Sequence, residues 1–194
     1  MGILQNAGVT NAYHFTPLHY LPFIAQSASL KSKPSLAADG FAATHLRSMS
    51  NAQDVTRGFG AYTHLTTDAS PRILKAKLAA GFPHVGVSVP VPHVDNVEYS
   101  LCRFNVAMTR YLRKGSKKGF PESPTNGRYY KGHQIPIARG SGDKKTMLDW
   151  HLKRSTMIEI LIHGDLALPD DTELHCYSKA DEAAARAILD ACGL

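Results

Sequence analysis

The sequence has few cysteines and no long apolar run, and each shortage excludes a class of protein. Cys102, Cys176 and Cys192 are an odd number at irregular spacing, without a Cys-x-x-Cys unit. A disulfide framework or a thiolate zinc site is therefore not expected, and a reducing cytoplasm fits best. No run approaches the roughly 18–20 apolar residues that span a bilayer, and residues 1–10 lack the features of a signal peptide. We expect a cytoplasmic protein that does not associate with membranes.

Sequence motifs for common cofactors, nucleophiles and metals are also missing. There is no Gly-x-x-x-x-Gly-Lys loop, no Gly-x-Gly-x-x-Gly fingerprint and no Gly-x-Ser-x-Gly elbow. The ten histidines form no His-x-x-x-His or His-Glu-x-x-His unit, so no metal site is predicted. His14 is the one histidine that we single out, because it lies in the first predicted strand, just before a helix.

The length and composition predict a single folded domain over residues 1–194. The chain has a mass of 21.1 kDa, and 43% of its residues are hydrophobic. That share is enough for a sizeable core and too high for a disordered protein.

The positive charge is concentrated in one segment, residues 110–145. Ten Lys or Arg and two acidic residues give this segment a charge of +8, against +6 for the whole chain, so the remainder carries about −2. Basic groups neutralise phosphates, and the interleaved aromatic rings can stack on unpaired bases. The segment is interpreted either as a nucleic-acid surface or as a solvated loop. The candidate nucleic-acid-binding residues are Arg113, Lys114, Lys117, Lys118, Tyr129, Tyr130 and Lys131.

Hydrophobic periodicity predicts short strands that alternate irregularly with short helices. The predicted strands cover residues 13–16, 61–66, 84–91, 157–163 and 174–177, with 84–91 half-buried. The predicted helices cover 21–27, 70–81, 100–113, 147–153 and 178–193. Residues 31–60 are predicted to be a long loop with one helical turn. This irregular order favours an α+β domain over a βαβ sheet.

Glu159 is the most informative single position. Alternation along the predicted strand places Ile158, Ile160 and Ile162 on one face, and Glu159 on the other between Met157 and Leu161. A carboxylate in such surroundings needs a partner. It is interpreted either as a catalytic group or as a structural carboxylate, facing water on an edge strand or paired with Arg154.

Three blocks of sequence point to a family. The first is Tyr13-His14-Phe15-Thr16 followed by Leu21-Pro22-Phe23-Ile24. The second is Arg47, then Tyr62-Thr63-His64-Leu65-Thr66 and Ser70-Pro71. The third is Arg154, Glu159-Ile160-Leu161-Ile162, then Leu174-His175-Cys176-Tyr177-Ser178 and an alanine-rich helix. In this order the blocks resemble the DarT toxins, DNA ADP-ribosyltransferases of toxin–antitoxin pairs.

The resemblance implies a fold, an activity and a set of site residues. The fold would be an α+β ADP-ribosyltransferase-like one, with two small β-sheets around an NAD cleft and flanking helices. NAD would be the substrate, and no metal would be needed. The implied catalytic residues are Glu159, which would stabilise an oxocarbenium-like transition state, and Arg47. The implied NAD-binding residues are His14, Phe15, Thr16, Tyr62 and Arg57, and Arg57 is also the alternative to Arg47.

The resemblance further implies an acceptor and a partner. ADP-ribose would be transferred to a base in single-stranded DNA, and a macrodomain-type antitoxin is a candidate partner. Two alternatives stay open. One keeps NAD but has RNA or protein as the acceptor, and the other is a basic nucleic-acid-binding module without catalysis.

Overall fold

The computed structural model describes residues 1–40, 59–103, 129–130, 133–134, 137–152 and 157–193. The helices are α1 (Ile3–Asn6), α2 (Leu21–Ser27), α3 (Lys33–Ala38), α4 (Arg72–Ala79), α5 (Val91–Val94), α6 (Ser141–His151) and α7 (Lys179–Ala191), with a 3₁₀ turn at Leu18–Tyr20. The strands are β1 (Asn11–Pro17), β2 (Ser29–Leu30), β3 (Tyr62–Thr66), β4 (His84–Pro90), β5 (Tyr99–Arg103), β6 (Tyr129–Tyr130), β7 (His133–Gln134), β8 (Ile137–Ala138), β9 (Ile158–His163), β10 (Leu166–Ala167) and β11 (Glu173–Cys176).

Seven strands form one antiparallel sheet in the order β11-β4-β1-β3-β9-β5-β8. Between β1 and β3, the ladder of the described residues contains one pair, Tyr13 opposite Thr66. The sheet therefore consists of two halves, β11-β4-β1 and β3-β9-β5-β8, that are joined at a single point. This mixed architecture confirms the predicted α+β class, and the two predicted small sheets correspond to these halves. Two more ladders, β2–β10 and β6–β7, lie outside the large sheet.

One face of the sheet carries the main hydrophobic core. Ile158, Ile160 and Ile162 of β9 are fully buried there, as their alternation predicts. They share the core with side chains from both halves of the sheet and from the helices, namely Leu4, Val87, Val89, Leu101 and Leu148. Because this core continues beneath the narrow junction, it holds the two halves together. The extent of the domain over residues 1–194 stays a prediction.

Strand β4 is buried on both faces, so the prediction of a half-buried strand is wrong. Val85, Val87 and Val89 face the core, and the residues between them are also buried. The reason is visible at Gly86. A Cβ there would lie 2.9 Å from the Tyr177 hydroxyl and 3.1 Å from a ring carbon of Phe15. These aromatic rings cover the face that periodicity alone assigned to solvent.

Helix ends largely follow their sequence signals. Helix α2 covers Leu21–Ser27 as predicted, and the side chain of Ser178 accepts a 3.0 Å hydrogen bond from the amide of Asp181 at the start of α7. Helix α4 begins at Arg72, with Pro71 rather than Ser70 in the N-cap position. Because the backbone of Pro71 is extended rather than helical, Pro71 is the N-cap, and the helix begins one residue later than predicted.

One prediction of local structure is corrected. Residues 99–103 form strand β5, not the start of a helix, because Tyr99 and Leu101 face the core while Ser100 and Cys102 face the other side. The remainder of the predicted 100–113 helix lies outside the described residues. In its described part, the predicted loop at 31–60 contains the short helix α3, in keeping with the single helical turn expected there. No helix in the described ranges is long and apolar enough to cross a membrane.

Candidate functional site

Glu159 lies in the interior of the sheet. Strand β9 runs between β3 and β5, which places Glu159 opposite Thr66 on one side and Cys102 on the other. The residue is only 5% exposed. The edge-strand interpretation is therefore wrong, and Arg154 lies outside the described residues. On the same face, Leu161 packs with Phe59 and Cys102, which gives the carboxylate semi-apolar surroundings, as the sequence predicts.

The observed partner of Glu159 is His64 of β3. His64 Nδ1 lies 3.0 Å from Glu159 Oε1, and His64 Nε2 lies 3.0 Å from the carbonyl oxygen of Phe59. Sequence reasoning did not select His64. The available signal was its alternation with Tyr62 and Thr66 on one face of β3, but only the register between β3 and β9 brings it beside Glu159.

His14 meets the same residue of β3 from the other half of the sheet. Its Nδ1 lies 2.8 Å from the backbone carbonyl oxygen of His64. Burial lowers the pKa of His14 below its ordinary value, and the nearby charges of His64 and Lys77 lower it further, whereas the bond to the carbonyl acts in the opposite direction. A neutral ring that donates from Nδ1 keeps a lone pair on Nε2. His14 thus offers a hydrogen-bond acceptor next to the junction.

Aromatic rings lie on the face of β1 and β4 that contains Tyr13, the residue at the junction. The rings of Tyr13 and Phe15 are stacked, with centroids 6.5 Å apart and planes 4° apart. His175 approaches Tyr13 edge-on at 5.6 Å, and Tyr177 lies 6.4 Å from Phe15. All four side chains are partly exposed. They form a π surface against which a flat heterocycle can stack.

Two of the other predicted NAD-binding residues, Tyr62 and Thr16, lie in described strands. Tyr62 lies on the His64 face of β3, with its ring 5.0 Å from that of His163 and 5.9 Å from that of Phe59. Thr16 is buried opposite Val85 of β4. Arg47 and Arg57 lie outside the described residues. His14 and Glu159 thus both bond to His64, His14 to its backbone carbonyl and Glu159 to its ring, while Phe15 lies on β1 and Tyr62 on β3.

Little of the predicted nucleic-acid surface lies within the described residues. Tyr129 and Tyr130 form strand β6, which pairs with β7. The residues outside the described ranges are Arg113, Lys114, Lys117, Lys118 and Lys131. Within the described part of the chain, no group of three or more His, Cys, Asp or Glu side chains could hold a metal ion.

Comparison with known proteins shows which fold this is. No family model matches the sequence, and no curated protein matches it. Among solved structures, the chain is similar to Thermus sp. 2.9 DarT in complex with ADP-ribosylated single-stranded DNA, with a TM-score of 0.62 and 12% identity over 96% of this chain and 90% of that one. It is also similar to the same DarT in complex with NAD⁺, with a TM-score of 0.59 and 12% identity over 95% and 90% of the two chains. The complex with carba-NAD⁺ gives the same score and identity, over 95% and 91%. The predicted ADP-ribosyltransferase-like fold is confirmed.

Proposed function

We propose that this protein is a mono-ADP-ribosyltransferase that uses NAD as its substrate and modifies a base in single-stranded DNA. The observation that carries the proposal is the position of Glu159 in the DarT fold. A buried carboxylate, bonded to His64 at 3.0 Å, belongs to a residue that lies opposite Thr66, where the two halves of the sheet are joined. Buried, partnered carboxylates in such positions are candidates for transition-state stabilisation.

Glu159 would act on the nicotinamide ribose. Transfer breaks the bond between ribose C1′ and the nicotinamide nitrogen, and neutral nicotinamide leaves with the bonding electrons. Positive charge then develops on the ribose, and a carboxylate that accepts a hydrogen bond from the 2′-hydroxyl stabilises it. A ring nitrogen of the acceptor base forms the new bond to C1′ and gives up its proton to solvent or to a base. An ionised carboxylate has about four lone-pair sites, so a bond to His64 is compatible with a second bond to the ribose.

The neighbouring residues would bind the remainder of NAD. His14 Nε2 would accept a hydrogen bond from a ribose hydroxyl, in keeping with its lowered pKa. Phe15 and Tyr62 would pack against the flat rings of the cofactor, and Thr16 would fix the backbone of β1 through its buried position. Arg47, with Arg57 as the alternative, would neutralise the pyrophosphate or position the acceptor base.

The acceptor is proposed from two independent observations. The DarT structure with the TM-score of 0.62 is described as a complex with ADP-ribosylated single-stranded DNA. The segment 110–145 of this chain carries +8 with interleaved aromatic residues, a composition that suits a single strand with unpaired bases. On this proposal the protein acts as a toxin in the cytoplasm, and a macrodomain-type antitoxin would reverse the modification.

The test uses NAD labelled in the adenosine moiety. Wild-type protein is incubated with separate pools of single-stranded DNA, duplex DNA, RNA and protein, and label on each polymer is measured alongside free nicotinamide. We expect label on single-stranded DNA that depends on Glu159. Label on RNA or protein instead would favour the alternative acceptors. Binding of nucleic acid without any release of nicotinamide would favour the non-catalytic module.

A further inference from the structure

We propose that His64 is a positioning residue, a doubly protonated imidazolium that holds Glu159 in its reactive orientation. The inference rests on the proposed function, which makes Glu159 the catalytic carboxylate. It adds a residue that neither the sequence motifs nor the comparisons assign.

The two ring nitrogens of His64 both face oxygen acceptors. Nε2 lies 3.0 Å from the Phe59 carbonyl oxygen, and a carbonyl can only accept, so Nε2 must carry a proton. Nδ1 lies 3.0 Å from Glu159 Oε1. When Glu159 is ionised, as its proposed role requires, Nδ1 must donate as well. The geometry thus requires the cationic ring whenever the carboxylate is in its working state.

This pairing solves the problem that burial creates for Glu159. A 5% exposed carboxylate has lost most of its hydration, and a charge-assisted hydrogen bond from a cation offsets that loss. The bond also restricts rotation of a flexible side chain, because one carboxylate oxygen is held toward β3. Pre-organisation of this kind is required of groups that stabilise a developing charge.

His64 is itself held from two further directions. The Phe59 carbonyl fixes the far side of its ring, and its own carbonyl oxygen accepts the 2.8 Å bond from His14. One residue of β3 therefore connects the proposed catalytic residue with a proposed NAD-binding residue, although the two lie on different halves of the sheet. A shift of His64 would displace both of them.

Two matched substitutions separate the bond to Glu159 from the bond to Phe59. The amide nitrogen of Asn occupies roughly the position of a histidine Nδ1, and that of Gln roughly the position of Nε2. His64→Asn should therefore retain the donor to Glu159, and His64→Gln the donor to the Phe59 carbonyl. His93→Gln is the control, because His93 also bonds to a backbone carbonyl, that of Ala167 at 2.8 Å, but lies on α5.

These variants should then differ in the steady-state kinetics of NAD turnover. We expect His64→Gln to lower kcat by about 100-fold, the loss typical of a reacting group misplaced by about 1 Å, with little change in the KM for NAD. His64→Asn should recover a substantial part of this loss, and His93→Gln should match the wild type. Equal kcat for the Asn and Gln variants, or a loss that appears only in KM, would overturn the positioning role.

Nitrogen NMR of ¹⁵N-labelled histidine gives a readout that does not depend on turnover. At mildly alkaline pH, above the ordinary histidine pKa of about 6.5, we expect both ring nitrogens of His64 to be protonated in the wild type. Glu159→Gln should remove one of these protons. A ring protonated only at Nε2 in the wild type would overturn the ion pair. Two protonated nitrogens in a protein that never consumes NAD would contradict the proposed function and leave the ion pair standing.

Discussion

Among the residues that the structure describes, Tyr13 and Thr66 are the single pair that joins β1 to β3. Thr66 is also opposite Glu159 on β9, so one row of residues leads from the junction to the buried carboxylate. The halves of the sheet separate on either side of this row, and His14 bonds to His64 in the same region. A substrate at this junction would contact both halves of the sheet.

Glu159→Gln should strongly reduce transfer and preserve the fold. The amide keeps the size of the side chain and can still hydrogen-bond to His64, but it removes the charge that stabilises the oxocarbenium-like state. We expect transfer to fall by about 100- to 1,000-fold, as measured by the release of labelled nicotinamide. Glu182→Gln, at an exposed carboxylate on α7, is the matched control. Near-normal turnover in Glu159→Gln would contradict the mechanism.

The sequence predicts the face of Glu159 but not its partner. Alternation along β9 is a local property, and three β-branched residues, Ile158, Ile160 and Ile162, make it unambiguous. The contact with His64 depends on how β3 is registered against β9, almost a hundred residues later in the chain. Register follows from packing across the whole sheet, so no local pattern contains it.

The errors in predicting β4 and β5 also arise because contacts between strands, which no local pattern contains, determine the burial and pairing of these residues. In β4 the residues between the valines are small or polar, and at Gly86 the rings of Phe15 and Tyr177 cover the face that alternation assigns to solvent. In β5 the alternation of Tyr99, Ser100, Leu101 and Cys102 was present in the sequence. The strand has only five residues, too few for its alternation to outweigh the neighbouring helical pattern without the pairing to β9.

Substitution of the two candidate arginines should affect NAD turnover differently. Arg47 is predicted to lie in the NAD site, so Arg47→Ala should reduce NAD turnover by about 100-fold, with Arg57→Ala close to the wild type. Both substitutions remove the same charge, so each serves as the control for the other. The reverse order of activities would assign the role to Arg57, and two unaffected variants would remove both residues from the mechanism.

Gly2 leaves room for the Asp95 carboxylate that caps helix α1. The Asp95 carboxylate accepts hydrogen bonds from the amides of Leu4 and Gln5 at 3.1 Å and from the Tyr99 hydroxyl at 2.8 Å. A Cβ on residue 2 would lie 2.0 Å from the Asp95 carboxyl carbon. Gly2→Ala should therefore lower the free energy of unfolding by about 1–2 kcal/mol, the usual effect of losing a helix cap.

The control for this stability prediction is Gly142→Ala in α6. A Cβ at Gly142 meets no atom within 4 Å, and alanine is the better helix former. We expect this variant to be as stable as the wild type or more so, as measured by urea denaturation. If both variants lost stability equally, the clash with Asp95 would not be the cause.

His14 should make the protein less stable in mild acid. Its pKa is lowered in the folded state, chiefly by burial, so below the ordinary value of about 6.5 the unfolded chain binds the proton more readily. The contribution of His14 to stability is complete above that pH and is lost as the pH falls toward the folded-state pKa. His14→Asn retains a donor for the His64 carbonyl and cannot titrate. The difference in unfolding free energy between wild type and variant should therefore change with pH only below about 6.5, and a constant difference would refute this.

The basic segment should bind the acceptor rather than NAD. Neutralising Lys114, Lys117, Lys118 and Lys131 should weaken binding of single-stranded DNA, because fewer counterions are released. The slope of log affinity against log salt should become shallower by about 0.7 for each lysine that contacts a phosphate. Hydrolysis of NAD without acceptor should be nearly unchanged, because His14 and Glu159 lie outside the segment. Neutralising the exposed Lys75 and Lys179 is the control and should leave the slope as it is. Equal loss of DNA binding and NAD hydrolysis would mean that the segment shapes the NAD site, and an unchanged slope would mean that its lysines are only solvated.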